Sequence, residues 1–450
     1  MRVSRWIWWV AGTFVVVGGG LWLEARHLGL TTSGDELQAQ LQLARAEGLP
    51  VVPDDLKRPP VPDDENAVNL IVNAYALAEG MPDAPMDVLT QYSKTPPSEA
   101  KVTAALQELK PVFDMAEAAS RRPHFDAHRR WDLGNDLQFP EFGPLKGISK
   151  CLVKRADSEA KSGRFDAADK TLQIVARLGR LTSEEPALIA VFCRMAMENL
   201  VLTEAAKLMR LAHGSMASTQ LAKSVVNALG PLPDLRFSMG FEVVAARLLL
   251  RRLPYWQNKE PDPYGDYVVA TGPEDYLLRL NSVADLNDSR LVANYRALYS
   301  AQPVKLGDLP TARRTLDRLV NEIDAQRGLA NLSPYFSPDF DGSKVWEQCL
   351  ARRRTVLAGA EILDLRRKTG NFPANWAKPG LDGIDPYIER PLSYRKTTSG
   401  FVVYSFGVDG KDDGGRPYYV DGRQDISFEY PQVSQPLARS GQLGPQSSKD

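Results

Sequence analysis

The stretch SGRFDAADKTLQIVARLGRL, residues 162–181, decides the fold class. Its apolar side chains recur three and four residues apart, the spacing of one stripe on a helix. Gly163 stands where the chain would turn between this helix and the one before it. The same periodicity recurs in both directions, over 98–119, 144–162, 185–212, 217–229, 237–252, 275–298 and 310–328, and again over 344–369. The segment 185–212 is apolar around much of its circumference, through Leu188, Val191, Phe192, Met195, Leu202 and Met209. A helix of that kind belongs in the middle of a bundle. Asp63, Asp64 and Glu65 open a further helix over 66–80, where the helix dipole favours acids. Two irregular stretches, 253–274 and 329–343, are rich in Pro, Asp and Tyr, and the second marks a domain boundary.

The N-terminus has a different character. Arg2 and Arg5 precede WIWWVAGTFVVVGGGLWL, residues 6–23, which carries no charge. Eighteen residues at a helical rise span roughly 27 Å, enough to cross the hydrocarbon core of a bilayer. The arginines favour a cytoplasmic N-terminus, and Trp6, Trp8, Trp9 and Trp22 suit the two interfaces. A cleaved signal peptide is the alternative, with Gly18 and Gly20 as small residues, but no A-x-A pattern closes the run. Either reading puts the rest of the chain outside the cytoplasm, the first as a single-pass protein of the inner (cytoplasmic) membrane. Residues 31–65 follow as a polar strap, with LPVVPDDLKRPPVPDDEN forced toward extended backbone by its prolines.

After 344–369, which ends on Gly370 as a C-cap, periodicity gives way to short strands and turns. SYRKT and GFVVYSF read as a hairpin across Thr398-Ser399-Gly400. Next comes YSFGVDGKDDGG, residues 404–415, with three aspartates and four glycines. Glycines let a loop curl so that its carbonyls face inward, and Ca²⁺ takes six to eight hard oxygens at about 2.3–2.6 Å. The plain alternative is a solvated acidic turn, since Asp and Gly are common turn residues. The final stretch, 431–450, has no periodicity and reads as a disordered tail.

The order Gly370-Asn371-Phe372-Pro373, Asp385-Pro386, Pro391-Leu392-Ser393-Tyr394, Tyr404-Ser405, Asp409-Gly410, Gly414-Gly415 and Asp425-Ile426 resembles the soluble head of type II secretion major pseudopilins. The resemblance covers about residues 345–430. It implies a small sheet on the long helix and a calcium loop, with Asp409, Asp421 and Asp425 as ligands and Asp412 or Asp413 as competitors. RPYYV stands between Gly415 and Asp421, so the loop differs in length from the family's, and the N-terminus lacks the prepilin cleavage motif. The 162–181 stretch is similar to half of a tetratricopeptide hairpin, without a second copy at that repeat's ~34-residue period. The whole chain also resembles uncharacterised membrane-anchored helical proteins of environmental bacteria, which share the PPVPD-x-ENA strap and the Gly163-Arg164 helical core; no activity comes with that resemblance.

Other chemistries lack their parts. The 55 Lys and Arg balance 56 Asp and Glu, and no basic stripe with interleaved aromatics appears, which argues against nucleic acid. The runs Arg352–Arg354 and Arg366–Lys368 read as solvated helix faces. Cys151, Cys193 and Cys349 are far apart, with no CxxC, and read as buried thiols. His124 and His128 have the spacing of a helical metal pair but no HExxH glutamate, and read as surface residues. No nucleophile elbow, phosphate loop or dinucleotide fingerprint is present. Glu198, Glu204 and Glu242 are expected to pair with Arg194, Lys207 or Arg247 on their own helices.

These readings combine into a mainly α chain. It comprises an N-terminal anchor (1–30), the strap (31–65), an irregular helical bundle with tetratricopeptide-like hairpins (66–330), a small C-terminal α+β module (344–430) and the tail. The function they imply is that of a non-catalytic interaction or scaffold protein of the cell envelope with a structural Ca²⁺ loop. Its partners are the membrane, through 6–23, and an envelope protein. A divergent component of a type II secretion or pilus-like assembly, and an envelope hydrolase with carboxylates in a helical cleft, are the alternatives.

Overall fold

The computed structural model describes residues 31–431 apart from 83, 91–96, 213–215, 253–280, 328–332, 337–341, 378–382 and 416–424. The anchor (1–30), the irregular stretch 253–274, Asp421 and nearly all of the tail therefore lie outside the described residues. Among the described residues no helix is long and apolar enough to cross a membrane.

The helices are α1 (Ser33–Ala46), α2 (Val68–Glu79), α3 (Pro85–Thr90), α4 (Glu99–Glu108), α5 (Lys110–Ser120), α6 (Phe142–Lys161), α7 (Phe165–Leu181), α8 (Leu188–Leu211), α9 (Met216–Leu229), α10 (Leu235–Ser238) and α11 (Gly240–Arg252). They continue as α12 (Asn281–Ala301), α13 (Leu309–Asp324), α14 (Ser333–Phe336) and α15 (Gly342–Thr369). Helices α6 and α7 form the expected hairpin, with Gly163 at φ +77° in the turn. The single helix expected over 98–119 is two, because Pro111 has no N–H for the ladder and opens α5 instead.

The strap is corrected in part. Residues 33–46 are helical, and Leu37, Leu41 and Ala44 bury a stripe of α1 against α12. The prolines that suggested extended chain begin only at Pro50. Beyond the short 3-10 turn Pro53–Leu56, residues 57–62 do run without regular structure.

Strands β1 (Ser393–Lys396), β2 (Phe401–Ser405) and β3 (Ile426–Tyr430) make one antiparallel sheet in that order, with Ser393 opposite Tyr404 and Phe401 opposite Tyr430. The hairpin was expected; β3 was not. The sheet lies on α15, where Gly359 faces Phe428 so closely that an added Cβ would stand 2.4 Å from the ring. Phe401 also stacks on Phe428 and Tyr430, with centroids 5.9 and 6.2 Å away.

Two hydrophobic cores organise the chain. The first gathers α2, α5–α9, the C-terminal half of α15 and the sheet; the second gathers α1, α11–α13 and the N-terminal end of α15. Among the described residues only α8 and α15 supply side chains to both: Leu188 and Val191 against Met197 and Val201 in α8, Trp346 and Leu350 against Val356 and Ile362 in α15. The C-terminal module is therefore not set apart from the bundle, since its helix completes both cores. Thr219 Oγ1 also donates to Ala360 O, and Arg210 packs over the Phe428 ring.

Where α8 meets α15, Arg353 Nε and Nη2 donate to Glu198 Oε1 and Oε2 at 2.6 and 2.8 Å, and Nη1 donates to Gly230 O at 2.7 Å. Arg353 and Arg354 are buried, so the reading of that run as a solvated face is overturned. Arg354 Nη1 instead holds Ile384 O. In the second run Arg366 lies over the Phe372 ring, with its centroid 4.6 Å away.

Breaking a buried pair from one side leaves an uncompensated charge and costs about 3–5 kcal/mol. Arg353→Met should therefore lower unfolding stability by that order in urea titrations. Adding Glu198→Met should restore part of the loss, because the carboxylate that Arg353 left unpaired is then removed as well. A double variant less stable than Arg353→Met alone would contradict this assignment.

Candidate functional site

The acidic loop curls as its glycines foretold. Gly407, Gly410, Gly414 and Gly415 all have left-handed backbone, with φ of +69°, +64°, +71° and +80°. Its start is anchored by Asp385, which is fully buried and accepts from Ser405 Oγ, Phe406 N and Tyr387 N. Asp412 Oδ1 accepts from Tyr404 Oη at 3.0 Å and Gly414 N at 2.9 Å. Asp425 closes the loop from the β3 side, its Oδ2 accepting from Gly415 N at 2.7 Å. Its Oδ1 is buried with no hydrogen-bond partner among the described residues. Burial, then the Asp413 and Asp412 charges, push the Asp425 carboxyl up to about 6.

Of the five predicted ligands, Asp412 and Asp413 lie near enough for their charges to act on Asp425. Asp409 is exposed, and among the described residues it accepts from Lys411 N. No cluster of three or more ligand side chains set to hold a metal is found among the described residues.

The other predicted chemistry falls out plainly. His124 Nδ1 lies 3.2 Å from Glu184 Oε2, and His128 is exposed. Cys151 and Cys349 are buried free thiols, pushed up to about 12 by burial; Cys193 is half-buried. Glu204 pairs with Lys207 as expected. Glu198 does not pair with Arg194, nor Glu242 with Arg247: Glu242 caps Leu188 N, and Arg247 pairs with the fully buried Asp288. Phe192, expected in the core, is 51% exposed, because α8 buries only part of its circumference at that end.

A second site was not foreseen. A cleft of about 900 Å³ opens between the 48–58 segment, the 231–237 segment and the end of α12. Pro50, Pro186, Pro231, Pro233 and Pro303 shape its walls, and Trp346 forms part of its lining, with Nε1 donating to Pro233 O at 3.0 Å. Arg353 also lines it, fixed by Glu198. Behind it Arg194 donates to Ser183 Oγ, Leu229 O and Pro231 O, and desolvation lowers its guanidinium to about 10, still charged at neutral pH. Two arginines thus face one carboxylate beneath the cleft.

Around the mouth, the Arg58 guanidinium lies 5.1 Å from the Phe237 ring centroid and Arg236 lies 5.5 Å from that of Tyr299. The two carboxylates of the lining accept from backbone amides, and Asp55 Oδ2 also lies 3.5 Å from Arg45 Nε. Asp55 Oδ2 accepts from Val51 N and Val52 N, and Asp234 Oδ1 accepts from Phe237 N. The sequence signal was faint: prolines beside cations in LKRPP (56–60), PLPDLRF (231–237) and QPVK (302–305).

Set against protein-family models, curated proteins and solved structures, the chain matches none.

Because the folded Asp425 carboxyl binds its proton more tightly than an unfolded aspartate near 3.9, the folded state holds more protons between about pH 4 and 6. Stability in calcium-free buffer should fall as pH rises through that window. Asp425→Asn should flatten that slope in melts taken at successive pH values; an unchanged slope would remove Asp425 as its cause.

Proposed function

We propose that this chain is a non-catalytic interaction protein of the cell envelope, held in the inner membrane by residues 6–23 with its bulk on the extracytoplasmic side. The cleft seats a protein partner. One observation carries this reading: the cleft is large, walled by prolines and aromatic rings, and edged with cations, while its own carboxylates cap backbone amides. Such a lining supplies the apolar faces and orienting charges that hold a ligand. The rigid floor of Arg353, Glu198 and Arg194 keeps the walls in place without a partner.

A photo-crosslinking residue at Val304, on the cleft rim, and another at Val72, on α2, would test it. In carbonate-washed membranes that retain the chain, the Val304 probe should join it to a discrete protein and the Val72 probe should not. Equal labelling from both, or none from Val304, would sink the reading.

The loop fits a second, structural role as a calcium site. The observation that favours it is the buried Asp425 Oδ1, unpartnered among the described residues and crowded by Asp412 and Asp413. Carboxylates so placed repel one another, and a hard divalent cation would relieve them. Calcium at one hundred times its Kd should then stabilise the whole chain by about 2.7 kcal/mol. Asp425→Ala should abolish the response, and Mg²⁺ should replace Ca²⁺ poorly, because it demands about 2.0–2.1 Å octahedral geometry. Identical melting curves in calcium and in chelator would leave the loop an acidic turn.

A further inference from the structure

We infer that the cleft takes an extended, acidic, proline-containing segment of its partner, an inference that rests on the cleft being a partner site as proposed above. Three mouth cations carry the argument. Arg58, Arg236 and Lys305 form no ion pair with a carboxylate among the described residues, whereas Arg129, Arg247, Arg296, Arg313 and Arg353 each do. Arg58 lies over the Phe237 ring, and its charge also acts on the buried Glu185, which Arg129 already binds. Arg236 donates one bond, from Nη2 to Ser300 O, and its Nε is buried without a partner. Lys305 is exposed beside Val304. The surplus of positive charge from Arg194 and Arg353 over Glu198 lies directly behind the cleft. Field from a buried, unbalanced cation is poorly screened and raises the local concentration of anions.

The cations come from three separate segments, 57–58, α10 and the 302–305 loop, so charge is offered at several places and not at one point. That pattern suits a chain with repeated carboxylates better than a lone phosphate. Between the cations lie flat apolar faces: Phe237 is 39% exposed and Val304 is 62% exposed. Aromatic-lined grooves receive polyproline-type segments, whose pre-set backbone loses little entropy on binding. Carboxylates on such a segment would reach Arg58 and Lys305 at the rim while its rings lie against Phe237 and Tyr299.

The test uses the chain as it exists, with fluorescent peptides of alternating Glu and Pro, their Gln-Pro counterparts, polygalacturonate, and vesicles of phosphatidylglycerol. The Glu-Pro peptide should bind more tightly than the other three probes, and its affinity should fall as salt is raised. Arg58→Glu combined with Lys305→Glu should weaken it about tenfold or more, since both side chains are exposed at the mouth and like charges then meet. The melting temperature should not move, which excludes unfolding as the cause; Phe237→Ser is a second variant with the same expected loss. Equal binding of the Glu and Gln peptides overturns the inference. So does preference for polygalacturonate, which would point to a glycan, or for vesicles, which would point to lipid. If a Val304 crosslink still forms in those cases, the cleft reading stands and only the acidic segment is wrong. If no crosslink forms, both fall.

Discussion

The bidentate contact between Arg353 and Glu198 is the constraint on which the rest of the structure depends. It joins the two helices that run through both hydrophobic cores, and its third bond, to Gly230 O, fixes the turn after α9. A charge pair this deep is no great source of net stability, because desolvation offsets most of its attraction. Its contribution is to register. A guanidinium that must meet two carboxylate oxygens and one carbonyl leaves α15 little freedom to slide or rotate on α8. From that fixed crossing follow the positions of Trp346 toward one core and of Gly359 against Phe428 in the other.

The same crossing links the two candidate sites. Trp346, Leu350 and Arg353 of α15 line the cleft, while the sheet that carries the acidic loop lies further along the same helix. Neither site is built on an independent unit. The loop is held by Asp385 and Asp425 to a sheet that exists because α15 offers it a glycine and an apolar face. The cleft is walled by segments whose prolines resist collapse onto one another.

How much of this could be read from sequence follows from the range of the forces involved. Helices such as α7 and α13 were legible because a stripe of apolar residues needs only its own neighbours. The hairpin of β1 and β2 was legible for the same reason. α1 was missed because its short stripe of Leu37, Leu41 and Ala44 stands next to proline-rich chain that dominated the reading. Arg353 and Arg354 looked solvated because what buries them lies elsewhere: Glu198 is 155 residues away and Ile384 is 30 residues away. In the loop, the curl at the glycines was legible because positive φ is a local property, whereas the exposure of Asp409, expected as a ligand, was not. The cleft was illegible because its lining comes from several distant segments, each unremarkable alone.

Because α15 completes both cores, neither core can close until the C-terminal third of the chain has been made. A chain growing from its N-terminus holds the apolar sides of α8 and α11 without their last covering layer until residues 345–363 arrive. Contacts across such separations must close long loops before they are rewarded, which slows folding. Exposed apolar surface during that interval is what chaperones recognise and what drives misassembly. The molecule is thus fastened by α15, and its vulnerable period is the time taken to synthesise and deliver that helix.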